Sequence, residues 1–235
     1  MKDNAQRPNH EFDPSSADHG LDRSSAGREF GLSSGGSPGR RSRRQAEIHE
    51  RLLRAAFVLF AERGFSATTV EDITNLADVG KGTFFNYFPS KEHIFAAHVQ
   101  RQMEKIRTFV RQAARSKEPV DKLLYRLAVS LTGDAGSSPA MLHSILVAVF
   151  SNESVRGIMA TGLEEGRKSL EEWIVLRQQQ GEIRDDLTAQ EITLGFQRSL
   201  LGTVFLWSLA PIRPLADCLR EMSQITWSAI QRRSA

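Results

Sequence analysis

From about residue 44 almost to residue 232, apolar side chains return every three to four positions, and no stretch alternates one by one. That spacing lays apolar residues along one stripe of an α-helix, whereas a half-buried strand needs a period of two. The chain is therefore expected to be all-α, with about nine helices. Ile48, Leu52, Ala55 and Leu59, with neighbouring Ala56 and Phe60, mark the buried face of a first helix over about 44–63. Gly64 suits the left-handed position that ends it, and Phe65 follows where an apolar contact back to the helix is common. Later helices are predicted over about 91–115, 119–132, 139–150, 154–180, 189–209 and 215–232. Ser90 is the expected cap of the first of these, and Gly181 ends the helix over 154–180. Pro119 and Pro139 stand at first-turn positions, where no amide hydrogen is needed, and Thr188-Ala189-Gln190-Glu191 spells a capping box.

Ahead of the helical span the chain changes character. Residues 1–39 are rich in Ser, Gly, Asp and Pro and poor in apolar side chains, so they are expected to form a disordered N-terminal tail. Arg40, Arg41, Arg43 and Arg44 then form an abrupt basic cluster. A net charge of +3 over 235 residues says little about any partner, so the placement of charge carries more information than its sum. Cys218 is the only cysteine, which excludes an internal disulfide and a Cys-rich metal site and suits a reducing cytoplasm. The most apolar runs, Ala140–Phe150 and Leu200–Ile212, fall short of the roughly 18–20 residues that span a bilayer, and no apolar secretory segment opens the chain. A cytoplasmic protein with no membrane partner is expected.

Catalytic patterns are missing. There is no nucleophile elbow and no His-Glu-x-x-His, and the six histidines are scattered. Gly80-Lys81-Gly82-Thr83 shares letters with a phosphate-binding loop but lacks its upstream glycine and strand. Neither an enzyme nor a metal or other cofactor is expected.

The informative stretch is Thr68 to Glu92. Thr69 can cap a short second helix that ends near Ala77, with Glu71 and Asp72 at its positive end. Asp78-Val79-Gly80 is a tight turn, and a third short helix over about 81–87 must stop before Pro89. Two short helices joined by such a turn form a helix-turn-helix. Val70, Ile73, Ala77, Val79, Phe84 and Phe88 are spaced to pack inward on Leu52, Leu59 and Phe60. Lys81, Gly82, Thr83, Asn86 and Tyr87 are left on the other face, which is small and hydrogen-bonding, as a helix entering a major groove requires.

This stretch resembles the DNA-binding head of the TetR family of bacterial repressors. The matching residues are Gly64-Phe65, Thr68-Thr69-Val70, Asp72-Ile73, Ala77, Val79, Lys81-Gly82-Thr83-Phe84, Tyr87-Phe88 and Ser90-Lys91-Glu92. The resemblance implies a three-helix helix-turn-helix head over 40–90, followed by a helical regulatory and dimerisation body over 91–235. It implies double-stranded DNA as partner, a homodimer, an inverted-repeat operator, and release by a small apolar or amphipathic effector. It also implies a phosphate contact at Thr69, base or phosphate contacts at Lys81, Gly82, Thr83 and Asn86, and aromatic contacts to the backbone from Phe85 and Tyr87. Lys91, expected in the first turn of the fourth helix, reads as a phosphate seat. Three departures bear on affinity: Phe85 lacks the hydroxyl of the more common Tyr, Gly80 removes a capping side chain, and Asp78 replaces the usual turn glycine. The alternative function for the same head is a DNA-organising or cell-division factor that needs no inducer.

Other readings stay open at this level. Arg43 and Arg44 belong either to an arm reaching DNA beside the head or to a solubilising boundary. Gly195, Ser199 and Gly202 form a small stripe that would let a second helix approach closely. With Leu215, Leu219, Met222, Thr226 and Ile230 it would suit a four-helix dimer interface, or else packing within one subunit. Met141, His143, Phe150, Met159, Trp173, Phe196 and Trp207 are candidates for an effector pocket or for plain core.

Overall fold

The computed structural model describes residues 39–133 and 138–232. Apart from Gly39, the tail expected over 1–39 lies outside the described residues. Nine helices and no strand are found among those described: α1 (Arg40–Arg63), α2 (Val70–Leu76), α3 (Lys81–Tyr87), α4 (His93–Ala113), α5 (Val120–Thr132), α6 (Pro139–Ser151), α7 (Glu153–Gln179), α8 (Ala189–Leu209) and α9 (Leu215–Ile230). The all-α expectation holds, and most ends fall within two residues of the predicted ones.

The ends have local causes. Gly64 takes φ +83° after α1 and Gly181 φ +76° after α7, a left-handed turn that glycine enters without a Cβ clash. Thr69 and Asp72 form a reciprocal capping box on α2, as Thr188 and Glu191 do on α8. Pro139 stands in the first turn of α6, where Ser138 caps the Met141 amide. Two expectations fail. The basic cluster does not precede the first helix as an arm: Arg40 opens α1, and Arg43 and Arg44 lie exposed in its first two turns. Nor does Ser90 cap α4. Its hydroxyl is turned instead to the Glu92 carboxylate (2.6 Å) and the His93 ring (3.0 Å).

Two apolar clusters form the core. The first joins Leu52, Ala56, Leu59 and Phe60 of α1, Ile73, Phe84 and Phe88 of the helix-turn-helix and Ile94 and Phe95 of α4 to Met141, Ile145 and Ala148 of α6. Phe60 and Phe95 stack there at 5.7 Å, with Phe65 edge-on to both. The second cluster joins Phe109 of α4, Leu123, Leu124 and Leu127 of α5, Trp173 and Ile174 of α7, Phe196 of α8 and Leu219 and Met222 of α9. Both α4 and α7, the latter through Val155 in the first cluster and Trp173 in the second, run from one cluster to the other, and α4 is the rod that leads from the helix-turn-helix.

That rod is held along its length and at its end. Gly162 and Gly166 of α7 let α4 approach closely: a Cβ at Gly162 would overlap the Val99 side chain, and one at Gly166 would come within 2.9 Å of Ile106 Cδ1. At the far end, buried Arg177 donates to the Ala113 carbonyl (2.6 Å), which also accepts from the Ser116 amide, and to the Ser116 carbonyl just beyond the helix (3.0 Å). It also pairs with Glu182 at 2.6 Å. An antiparallel bridge, Ile183 to Gln231, ties the loop after α7 to the end of α9.

Candidate nucleic-acid interface

The turn between α2 and α3 sets the aim of α3. Asp78 takes φ +51°, a left-handed conformation that Asp tolerates better than most residues, as its place in the turn predicts. Gly80 stands at the N-cap of α3 and offers no capping side chain. Arg51 of α1 holds this turn: its guanidinium donates to the Ala77 carbonyl and to the Asp78 carbonyl, the latter at 3.0 Å. No motif in the sequence singled out Arg51, because its partners lie 26 and 27 residues away.

On α3 the buried side is Phe84, fully shielded, with Phe88 beside it at 5.4 Å between ring centres. Lys81, Gly82, Phe85 and Asn86 are exposed and Thr83 is half-buried, so these five candidates share one short helix backed by apolar core. Phe85 is nearly half-exposed (48%), unusual for a ring of that size. Tyr87 differs from expectation. It is half-buried and packs toward α1, with its ring centre 5.9 Å from that of His49. Burial lowers the pKa of His49, with Glu50 opposing the shift.

Two candidates from the sequence are occupied within the head. The Thr69 hydroxyl donates to the Asp72 carboxylate at 2.6 Å and accepts from the Asp72 amide at 3.1 Å, so the cap engages it in both directions. These bonds, first the hydroxyl's and then that of the Thr69 amide, hold the Asp72 carboxyl below the usual range. Lys91 is not in the first turn of α4, which begins at His93. Its ammonium donates to the carbonyls of Phe65 (2.6 Å) and Thr68 (2.7 Å) and lies over the Phe65 ring. The phosphate seat expected at Lys91 is therefore corrected: this charge ties the loop before α2 to the start of α4.

The remaining candidates divide. Gly195 and Ser199 are exposed, and a Cβ at Gly195 or Gly202 would meet nothing within 4 Å, so the stripe is an open face of α8. Its expected partners on α9 are not open. Leu219, Met222, Thr226 and Ile230 are buried in their own subunit, and Leu215 is half-buried there. The exposed apolar residues nearby are instead Leu201, Phe205, Leu206 and Leu209 of α8, Ile212 after it and Ile225 of α9. The candidate effector residues do not converge. Trp173 and Phe196 are core in the second cluster, Met141 and Met159 belong to the first, and Phe150 is 72% exposed. His143 is exposed, and Trp207 is half-buried with its indole N–H on the Arg213 carbonyl. No group of three metal-ligating side chains and no helix long and apolar enough to cross a membrane occurs among the described residues.

Residues 52–98 match the sequence profile described as bacterial regulatory proteins, tetR family. The HTH-type transcriptional regulator UidR of Escherichia coli is 27% identical over 184 residues, covering 73% of this chain and 89% of its own. The HTH-type transcriptional repressor DhaR of a Mycobacterium species is 29% identical over 143 residues, 60% of this chain and 72% of its own. Among solved structures, the SmeT–triclosan complex, of the repressor from Stenotrophomonas maltophilia, shares the fold with a TM-score of 0.66 at 17% identity, over 80% of this chain and 93% of that one. A head whose turn, caps and backing core support α3, a profile match across that head, and regulators aligned over most of the chain lead to one conclusion: residues 52–98 form a helix-turn-helix head of the tetR-family type, in a chain similar over most of its length to HTH-type transcriptional regulators.

Proposed function

We propose that this protein is a repressor that binds an inverted-repeat DNA operator as a homodimer and is released by a small apolar or amphipathic molecule. The observation that carries the reading is the outer surface of α3, where Lys81, Gly82, Phe85 and Asn86 are exposed and Thr83 is half-buried over the buried Phe84. Two such helices, one per subunit, would enter successive major grooves about 34–36 Å apart. Lys81 and Asn86 would hydrogen-bond base edges or phosphates, and Phe85 would lie along the sugar-phosphate backbone. Arg43 and Arg44, on the exposed start of α1, would add salt-dependent contacts to phosphate. The reading keeps 40–90 as the DNA-binding part and 91–235 as the regulatory part, and it assigns the protein to the cytoplasm.

The dimer is supported by the apolar face of α8 and α9. Leu206 is 65% exposed and Ile225 70%, beside the small residues Gly195 and Gly202. Exposed apolar residues gathered in this way mark an interaction surface. Two helices from each subunit would make a four-helix seam. Release by ligand requires that the ligand bind the DNA-free arrangement more tightly. SmeT, whose fold this chain shares, is described in complex with triclosan, a molecule of the effector class proposed here.

Footprinting of the purified protein on DNA flanking its own gene tests the proposal. Two protected half-sites related by dyad symmetry are expected, and a footprint lacking that symmetry would overturn it. A genome-wide binding map with a few promoter sites separates this function from a DNA-organising role, which would give many scattered ones.

A further inference from the structure

Phe85 puts an apolar ring on a surface otherwise suited to polar contacts. It stands in the middle of α3 and is nearly half-exposed, with exposed Gly82 one turn before it and exposed Asn86 next to it. The ring meets that of Phe84 almost at right angles, 5.4 Å between centres, and Phe84 is locked in the core beside Phe88. That contact fixes where the ring sits. Beside it the surface is recessed. Gly82 lies three residues before Phe85 on the same side of the helix, and a Cβ there would meet nothing within 4 Å. Helical side chains lean toward the N-terminus, so the Phe85 ring forms one wall of this notch.

A phenyl ring has no hydrogen-bonding group with which to read a polar base edge. The base edges of the major groove offer it one apolar group, the C5 methyl of thymine, which projects beside the backbone of its own strand. A ring lying along the sugar-phosphate backbone is within reach of that methyl at the groove wall. Contact with the sugar alone would carry no sequence information and would need no recess, whereas a projecting methyl fits one. We infer that Phe85 is a specificity-determining residue that reads a thymine methyl in each half-site, with the methyl seated in the notch that Gly82 leaves beside the ring. Lys81 and Asn86 supply the hydrogen bonds around it. The notch takes thymine, and 5-methylcytosine by the same methyl, in preference to uracil. This inference rests on the DNA-binding function proposed above.

The test uses the full-length protein and a synthetic duplex carrying the half-sites protected in the footprint. Each thymine is replaced in turn by deoxyuridine, which keeps every hydrogen-bonding group of the base pair and removes only the methyl. At one position in a half-site, and at its symmetry mate in the other, the replacement should weaken binding about fourfold, or ~0.8 kcal/mol, as expected for one buried methyl-sized group. Phe85→Ala should bind the thymine and uracil duplexes alike at that position. Gly82→Ala fills the notch without a clash and replaces a helical glycine, so it should stay folded by thermal melting and still lose the preference. Binding that is indifferent to every thymine methyl, or a methyl preference that survives either substitution, overturns the inference; symmetric half-site protection would then leave the proposed function standing. Discrimination against uracil on a duplex without dyad symmetry would refute the inverted-repeat operator and leave Phe85 reading its methyl. A protein that binds no duplex would overturn both.

Discussion

Lys91 grips Phe65 in two ways: its ammonium donates to the Phe65 carbonyl at 2.6 Å and lies 4.2 Å from the centre of the Phe65 ring. The same nitrogen reaches the Thr68 carbonyl at 2.7 Å. Lys91→Ala would leave both carbonyls without this partner, and hydrogen bonds from charged groups contribute about 1.5–3 kcal/mol each at most. A loss of roughly 1–3 kcal/mol in unfolding free energy is expected by urea titration. The salt dependence of DNA binding should stay as in the parent, since the charge faces the head's own backbone. A flattened salt slope with unchanged stability would return Lys91 to phosphate binding.

The capping box on α2 makes stability depend on acid. Asp72 is held below its unfolded value by the Thr69 hydroxyl and amide. A carboxyl depressed on folding contributes stability that is present above its unfolded pKa, about 3.9, and is lost as pH falls through the lower folded value. The stability gap between the parent and Asp72→Asn should therefore be open at pH 7 and close below about pH 4. Thr69→Ala should cost about 1 kcal/mol at neutral pH. A gap that persists at pH 2 would show that the carboxylate's charge is not what matters.

Two glycines on α7 should respond in opposite directions. Gly162→Ala forces a methyl into Val99 and should destabilise by about 1–3 kcal/mol, because α4 must move away. Gly157→Ala meets nothing within 4 Å and should stabilise by up to about 1 kcal/mol through helix propensity. Adding Val99→Ala should rescue the first variant in a double-mutant cycle. Equal effects at the two glycines would argue against a tight α4–α7 crossing.

On α3, Asn86→Ala and Lys81→Ala should weaken specific DNA binding by about 1–3 kcal/mol if these side chains read bases. Competition with random DNA is the check. A loss shared equally between specific and random sequence would reassign them to the phosphates. Neither change should move the melting temperature, because both side chains are exposed.

Leu206→Arg places a charge on the open face of α8 and should give a monomer by light scattering, with helical content preserved. Met222→Arg would instead bury a charge inside the subunit and unfold it. A Leu206→Arg protein that stays dimeric would move the subunit contact elsewhere.

Much of this fold can be read directly from residue spacing, because apolar periodicity, Gly64, Gly181, Pro139 and the Thr188 box each act over a single turn. What could not be read depends on distant neighbours. The arginines before residue 44 looked like an arm, yet arginine is a good helix former, and nothing between Arg40 and the predicted start breaks the helix. On α9 the stripe from Leu219 to Ile230 correctly signalled burial, but periodicity says only that a face is covered and not by which subunit. The same limit undid the effector residues, since Trp173 and Phe196 are apolar for their own core. Lys91 showed its charge in the sequence, but not the two carbonyls waiting 26 and 23 residues earlier.

Because Met141, Ile145 and Ala148 of α6 are built into the same cluster as Phe60, Ile73 and Phe84, the helix-turn-helix segment does not own a complete interior. Cut out at residue 90, it would present a greasy floor to water. A chimaera that transplants its specificity into another regulator must therefore import α6 as well, or borrow a matching helix from the host.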